Sequence, residues 1–185
     1  KDYLNILSVS SIIPLKNLWM IIDSLSLIKN IEIHWNHFGV GSEEEAIKLY
    51  AKEKFKNNYN IKYDFKGFVY NTKIHEYYSM NQVDLFINSS TTEGIPVSIM
   101  EAMSFGIPVI APSVGGIPEI VYNKENGFLL AQSPKPHDFA NVIKEFYNYP
   151  LEKKLQLRKC AFQTWENNYN ANKNYKTFIN QILKL

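Results

Sequence analysis

Two strand-length runs in this chain, Leu85-Phe86-Ile87 and Val109-Ile110-Ala111, are apolar on every residue instead of on every second one. Successive side chains of a strand point to opposite faces, so runs of this kind must be covered on both sides. Helices packed on both faces of a parallel sheet supply that cover, and the remaining sequence alternates accordingly. Residues 3–9, 31–38, 61–65, 84–88, 108–111 and 127–130 read as strands, with helices expected over 18–28, 73–80 and 96–105. Ser42, with Glu43, Glu44 and Glu45 after it, predicts a side-chain-capped helix start, and that helix runs to about Asn57. Pro14 to Asn17 reads as a loop and 116–121 as one or two helical turns. From Pro136 onward the chain reads as helix in three pieces, broken near Pro150 and at Tyr169-Asn170. The expected fold class is α/β: one doubly wound, parallel, Rossmann-like sheet over residues 1–185, with the helices from about 136 included.

Composition narrows the function. At 185 residues the chain can bury one full core, and 45% apolar with 21% charged residues is ordinary for a globular protein. A net charge of +2, with scattered lysines, argues against nucleic acid as a partner. The single cysteine, Cys160, rules out an internal disulfide and any thiolate-based metal site, which fits a reducing cytoplasm. No apolar run approaches the ~20 residues that span a bilayer, and no signal peptide opens the chain. It starts at Lys1 and enters a strand almost at once, so it reads as part of a longer protein.

Open α/β sheets bind ligands beyond the carboxyl ends of their strands. Functional residues are therefore expected in the loops 10–17, 39–42, 67–72, 89–96 and 112–116. The richest is the stretch from Ser89 to Met103. A buried-type strand is followed by a polar loop with Glu93 and Gly94, then by Pro96 at a helix start, where its missing N–H does least harm. The helix after it is apolar almost all round and is expected to be buried on most sides. Glu101 is its one charge, and a carboxylate there needs donors. They could be structural, from a lysine or backbone N–H groups, or they could be the paired hydroxyls of a ribose. The free N–H groups from Val97 onward suit a phosphate, helped by the helix dipole.

Glu93 and Glu101, with seven residues between them, resemble the paired-glutamate motif of retaining glycosyltransferases of the two-Rossmann-domain GT-B architecture, family 4 (glycosyl transferases group 1). Ser90 fits the serine three residues before the first glutamate. The runs 101–104, 105–111, 115–121 and 126–130 match the family's later blocks in order. Phe38-Gly39-Val40-Gly41 and Phe65-Lys66-Gly67-Phe68-Val69 resemble its two glycine loops around the nucleotide. The likeness covers essentially the whole chain. It implies the C-terminal, donor-binding half of a GT-B enzyme, with the N-terminal acceptor domain outside this sequence.

By that resemblance Glu93 contacts the donor sugar and, with Lys16, forms the catalytic set, while Glu101 holds the ribose. The backbone of Gly94, Ile95, Pro96 and Val97 faces the sugar and diphosphate. Gly39 and Gly41 flank the nucleotide, and the main chain at Phe68 and Val69 meets the base. The implied partner is a UDP- or GDP-type nucleotide sugar, with no metal and no other cofactor. The implied setting is bacterial surface polysaccharide synthesis in the cytoplasm or at the inner face of the membrane, reached through the missing domain or a lipid-linked acceptor. The fragment alone is expected to bind donor weakly and to transfer nothing.

The sequence departs from the family at Ser11, where an arginine five residues before the lysine is usual. Serine brings no charge, and charge-assisted bonds are roughly twice as strong as neutral ones. Another residue could supply the charge, the leaving group could differ, or turnover could be slow; the first is preferred. Ser11 also leaves room for a non-catalytic nucleotide-sugar-binding module, and a sugar-nucleotide epimerase of the same fold is a second alternative. Gly39-Val40-Gly41 lacks the third glycine of a dinucleotide fingerprint and follows the second strand instead of the first. His34 and His37 lie three apart on a strand and so face opposite ways, which argues against a joint metal site. His75 and His137 read as surface residues, and Trp165, Tyr169, Tyr175 and Phe178 as core or interdomain packing.

Overall fold

The computed structural model describes residues 3–183. The first five strands alternate with helices, and a 3-10 turn (Ile117–Glu119) leads to the sixth: β1 (Tyr3–Val9), α1 (Leu18–Ser26), β2 (Glu32–Phe38), α2 (Glu44–Phe55), β3 (Ile61–Phe65) and α3 (Asn71–Met80) form the first half. The second half runs β4 (Leu85–Ile87), α4 (Val97–Ser104), β5 (Val109–Pro112), β6 (Gly127–Leu130), α5 (Pro136–Tyr147), α6 (Leu151–Asn168) and α7 (Ala171–Ile182). All pairings are parallel, in the order β3-β2-β1-β4-β5-β6. This is the expected doubly wound sheet. The end of the predicted helical tail, residues 184–185, lies outside the described residues.

Neighbouring residues of the inner strands do go to opposite faces. Ile6, Leu85, Ile87 and Ile110 join a core under α1, α2 and α5, with Leu25, Ile47, Phe139 and Ile143. Leu7, Phe86, Val109 and Ala111 join a second core under α3, α4 and α6, with Ile74, Ile99, Met103 and Ala161. Each such Leu, Ile or Phe taken from water contributes about 1.5–3 kcal/mol. The edge strand β3 alternates buried with wetter residues, as a strand with one covered face should.

Two local expectations are corrected and a third is refined. Pro14–Lys16 is a 3-10 turn instead of an open loop, and it ends on Asn17 in the left-handed region (φ 48°), which asparagine tolerates. α2 begins at Glu44 without a side-chain cap from Ser42. Backbone carbonyls do that work: the Glu43 N–H donates to Ile12 and the Glu44 N–H to Gly41, so the hydroxyl is not needed. Finally, α4 is buried or half-buried along its length except at its first residue. Ile99, Ala102 and Met103 are buried, but Val97 in the first turn is 64% exposed because it faces the open carboxyl end of the sheet.

Candidate active site

Strand order reverses between β1 and β4, so the loops leaving these two strands diverge around a crevice. They are stitched together across it: the Ser89 hydroxyl donates to the Lys16 carbonyl (2.8 Å) and the Thr91 N–H to the Leu15 carbonyl (2.9 Å). Lys16 and Glu93, 77 residues apart in the chain, consequently meet. Lys16 Nζ donates to Glu93 Oε1 at 2.6 Å, with the side chains 25% and 10% exposed. The Ser90 hydroxyl (2.6 Å) and the Asn88 amide (3.1 Å) donate to the same oxygen. Asn88 also accepts from the Ser90 N–H at 3.0 Å, so one buried amide braces both loop residues. Burial pushes the Glu93 carboxyl up, but bonds from Lys16, Ser90 and Asn88 and the charge of Lys16 outweigh it and hold the pKa below its ordinary value.

The Glu93 loop rests on the loop after β5. Gly115 has φ +52°, and a Cβ there would sit 1.6 Å from the Glu93 carbonyl oxygen. The Gly116 N–H donates to the Gly94 carbonyl at 3.0 Å. Gly94 is exposed, Ile95 half-buried and Pro96 buried. Pro96 caps α4 from outside instead of opening it, and its carbonyl accepts from both the Ile99 and Met100 N–H groups. The N–H groups of Val97 and Ser98 are left facing outward from the helix start.

Glu101, one residue past the middle of α4, is 16% exposed. Among the described residues, neither a lysine nor a backbone N–H group holds it. Its donor comes from α3: the Asn71 amide bonds to Oε1, while His75 Nε2 stands 3.6 Å from the same oxygen, outside hydrogen-bond range. His75 sits partly at the surface, its side chain 45% exposed, with its ring edge-on to Phe105 (5.8 Å, 66°). Packing of α3 on α4 is what sequence spacing could not convey.

A cleft of about 240 Å³ opens at the carboxyl ends of β1 and β2. Ser11, Gly39, Phe68 and Val69 line it together with Val9, Ser10, Phe38, Val40 and Ile74. Gly39 permits the closeness of these loops: at φ +146°, its Cβ would stand 1.8 Å from the Ser10 carbonyl. Gly41 packs against Ile12 and is not part of the cleft lining. A second, polar cavity of about 260 Å³ lies beyond Ser90, lined among others by Asn17, Ser89, Thr91, Gln132 and Ser133. Neither lining holds a charged side chain.

Below the first cleft lies a buried polar chain that sequence reading did not connect. Trp35 Nε1 donates to the Ser8 hydroxyl (2.9 Å), which bonds His37 Nδ1 (2.8 Å). Ser8, accepting from Trp35, is free to donate to Nδ1. Burial pulls the His37 pKa down to about 4, against the opposing pull of the Ser10 backbone and the Glu44 charge. His34 lies on the other face of β2, stacked on Tyr3 (3.8 Å). Among the described residues no group of three or more His, Cys, Asp or Glu side chains could hold a metal ion. No helix among them is long and apolar enough to cross a membrane.

Comparison with known proteins places these features in a family. The family model described as glycosyl transferases group 1 matches residues 1–164. WcaL of Escherichia coli, provisionally named a colanic acid biosynthesis glycosyltransferase, is 29% identical over 178 residues, covering 90% of this chain and 42% of WcaL. Anabaena HepE, solved with UDP and glucose, superposes with a TM-score of 0.79 at 20% identity, over 100% of this chain and 49% of that one. The C-terminal domain of the group 1 protein LpcC from Francisella tularensis superposes with a TM-score of 0.76 at 20% identity, over 91% of this chain and 87% of that domain. The chain thus spans less than half the length of WcaL and of HepE.

Proposed function

This chain belongs to the glycosyl transferases group 1 family, and we propose that it is the donor-binding domain of a retaining, family-4 transferase using a UDP- or GDP-type sugar. The observation that carries this reading is the meeting of Lys16 and Glu93 at the point where strand order reverses. The free N–H groups of Val97 and Ser98 support a phosphate next to that pair. HepE holds UDP and glucose on the same fold, and LpcC matches as a C-terminal domain, which supports an acceptor domain ahead of this one.

In this reading Glu101 receives the ribose hydroxyls, and the apolar cleft beside Phe68 and Val69 receives the base. Ser11 offers one hydroxyl to the diphosphate. Lys16 leaves Glu93 for the diphosphate and stabilises the charge that grows there as the bond to the sugar breaks. Glu93, released from Lys16 but still held by Ser90 and Asn88, turns to the sugar hydroxyls. No metal is required. WcaL's name supports surface polysaccharide as the product class, and the helices from 136 onward belong to the donor domain.

Calorimetric titration with UDP, GDP and their sugars tests the reading: one nucleotide diphosphate binds, weakly to this chain and more tightly to the longer protein. No binding of any of them by the longer protein would sink it. Proton NMR of the product's anomeric signal tests retention, and an inverted product refutes that part alone.

A further inference from the structure

The two α3 side chains that approach the Glu101 carboxylate are assigned no role by the family motif. We propose that Asn71 and His75, on α3, are positioning residues that fix the Glu101 carboxylate for nucleotide binding. This rests on the reading that Glu101 takes the ribose hydroxyls.

Both contacts fall on one oxygen. Asn71 Nδ2 donates to Oε1, and His75 Nε2 lies 3.6 Å from it, too far for a hydrogen bond yet within reach of a small closure. Oε2 is left outside both contacts. A carboxylate pinned through one oxygen keeps the other as an acceptor in a set direction, whereas an unpinned one rotates and loses entropy when a ligand orders it.

His75 is built for that task. Its Nε2 is a buried atom with no hydrogen-bond partner among the described residues, an arrangement that costs free energy unless a nearby acceptor is its purpose. Its ring is held edge-on to Phe105, which in turn stacks on Tyr78 at 5.0 Å and 23°. Those aromatic contacts brace one edge of the imidazole, while the side chain as a whole stays 45% exposed. Asn71 opens α3, and Ile74, three residues on and next to His75, lines the 240 Å³ cleft. One short helix thus lines the cleft and orients the carboxylate, so the geometry of one follows the other.

The test compares a nucleotide diphosphate with its 2′,3′-dideoxy analogue, using whichever of UDP and GDP binds the 185-residue chain more tightly. The unmodified chain should prefer the ribonucleotide by on the order of tenfold, and Glu101→Gln should bring that ratio close to one. Asn71→Ala and the double variant with His75→Ala should lower the ratio by roughly three- to tenfold while leaving dideoxy affinity unchanged. His75→Gln, whose amide can still donate, should restore most of it. Asn71 is exposed, so its variant tests the proposal even if the double variant folds poorly. A ratio unchanged in Asn71→Ala, or equal losses for both nucleotides, overturns the positioning role while Glu101→Gln still reports the ribose contact. If the unmodified chain shows no ribose preference, or binds neither nucleotide, the reading of Glu101 itself fails and the proposal falls with it.

Discussion

Glu93 and Glu101 lie eight residues apart, are the same amino acid and are both mostly buried, yet the molecule treats them differently. Glu93 sits on a loop between strand ends and receives three donors on one oxygen, one of them a lysine. Glu101 sits on a helix, where the Asn71 amide of the neighbouring helix donates to it and His75 Nε2 stands 3.6 Å away. The first carboxylate therefore has its charge cancelled before any ligand arrives, and the second keeps its charge. In the proposed roles, a phosphate would compete with Glu93 for its lysine, whereas ribose hydroxyls would join the Asn71 amide already at Glu101. The difference comes from which elements converge on each residue, since the side chains are identical.

The largest expected effect separates the two by reaching only one of them. Gly115→Ala puts a Cβ against the Glu93 carbonyl at a positive φ, so the Glu93 loop must move. The loss should be about 3–5 kcal/mol in a urea titration, with ribose preference untouched in whatever still folds. A milder loss would mean that the loop shifts freely and that Glu93 is less fixed than Glu101.

Acidification comes next, and it acts on the ground beneath the Lys16 loop. His37 has its pKa lowered from 6.5 to about 4 in the folded chain. The unfolded chain binds that proton first, so stability falls as pH drops from 6.5 to about 4, by on the order of 3 kcal/mol. Glu93, whose pKa is lowered, contributes stability that is present above its ordinary value of 4.5 and lost as pH falls below it. His37→Gln should abolish the upper window and leave the lower one. If the upper slope survives, another group carries it.

Binding should then split the pair. Lys16→Met is expected to weaken a nucleoside diphosphate by about 10–100-fold while the free nucleoside is unaffected. Glu101→Gln should weaken both, without changing the melting temperature by more than a few degrees. Equal effects of the two variants on the nucleoside would erase the distinction. The smallest effect is that of Ser90→Ala, about 1 kcal/mol, because Lys16 and Asn88 remain on the same oxygen.

The strands were legible because burial on both faces demands apolar residues in succession, and Leu85-Phe86-Ile87 meets that demand in three residues. Both glutamates and Lys16 were legible through their motif. That Lys16 and Glu93 touch was not, because the contact depends on two loops crossing at the reversal of strand order, 77 residues apart. Asn71 and His75 carried no signal, being ordinary polar residues on a helix whose packing partner lies thirty residues on. A side-chain cap at Ser42 was a sound local inference, but tertiary contact overrode it by delivering the Ile12 carbonyl to the helix start. Gly115 stood within a loop already marked as functional, and its signal was the glycine pair itself. The need for it appears only once the Glu93 carbonyl is seen pressed against it.

The Lys16–Glu93 contact also bears on ionic strength. A lysine waiting alone at a phosphate seat gathers a mobile anion from solution, and added electrolyte then competes with the ligand. Here a tethered carboxylate already occupies that place, only 10% exposed, where dissolved ions cannot easily follow. Exchange of one fixed partner for an incoming phosphate releases little to the medium. Donor binding by this domain should accordingly be weak for its charge and nearly indifferent to salt.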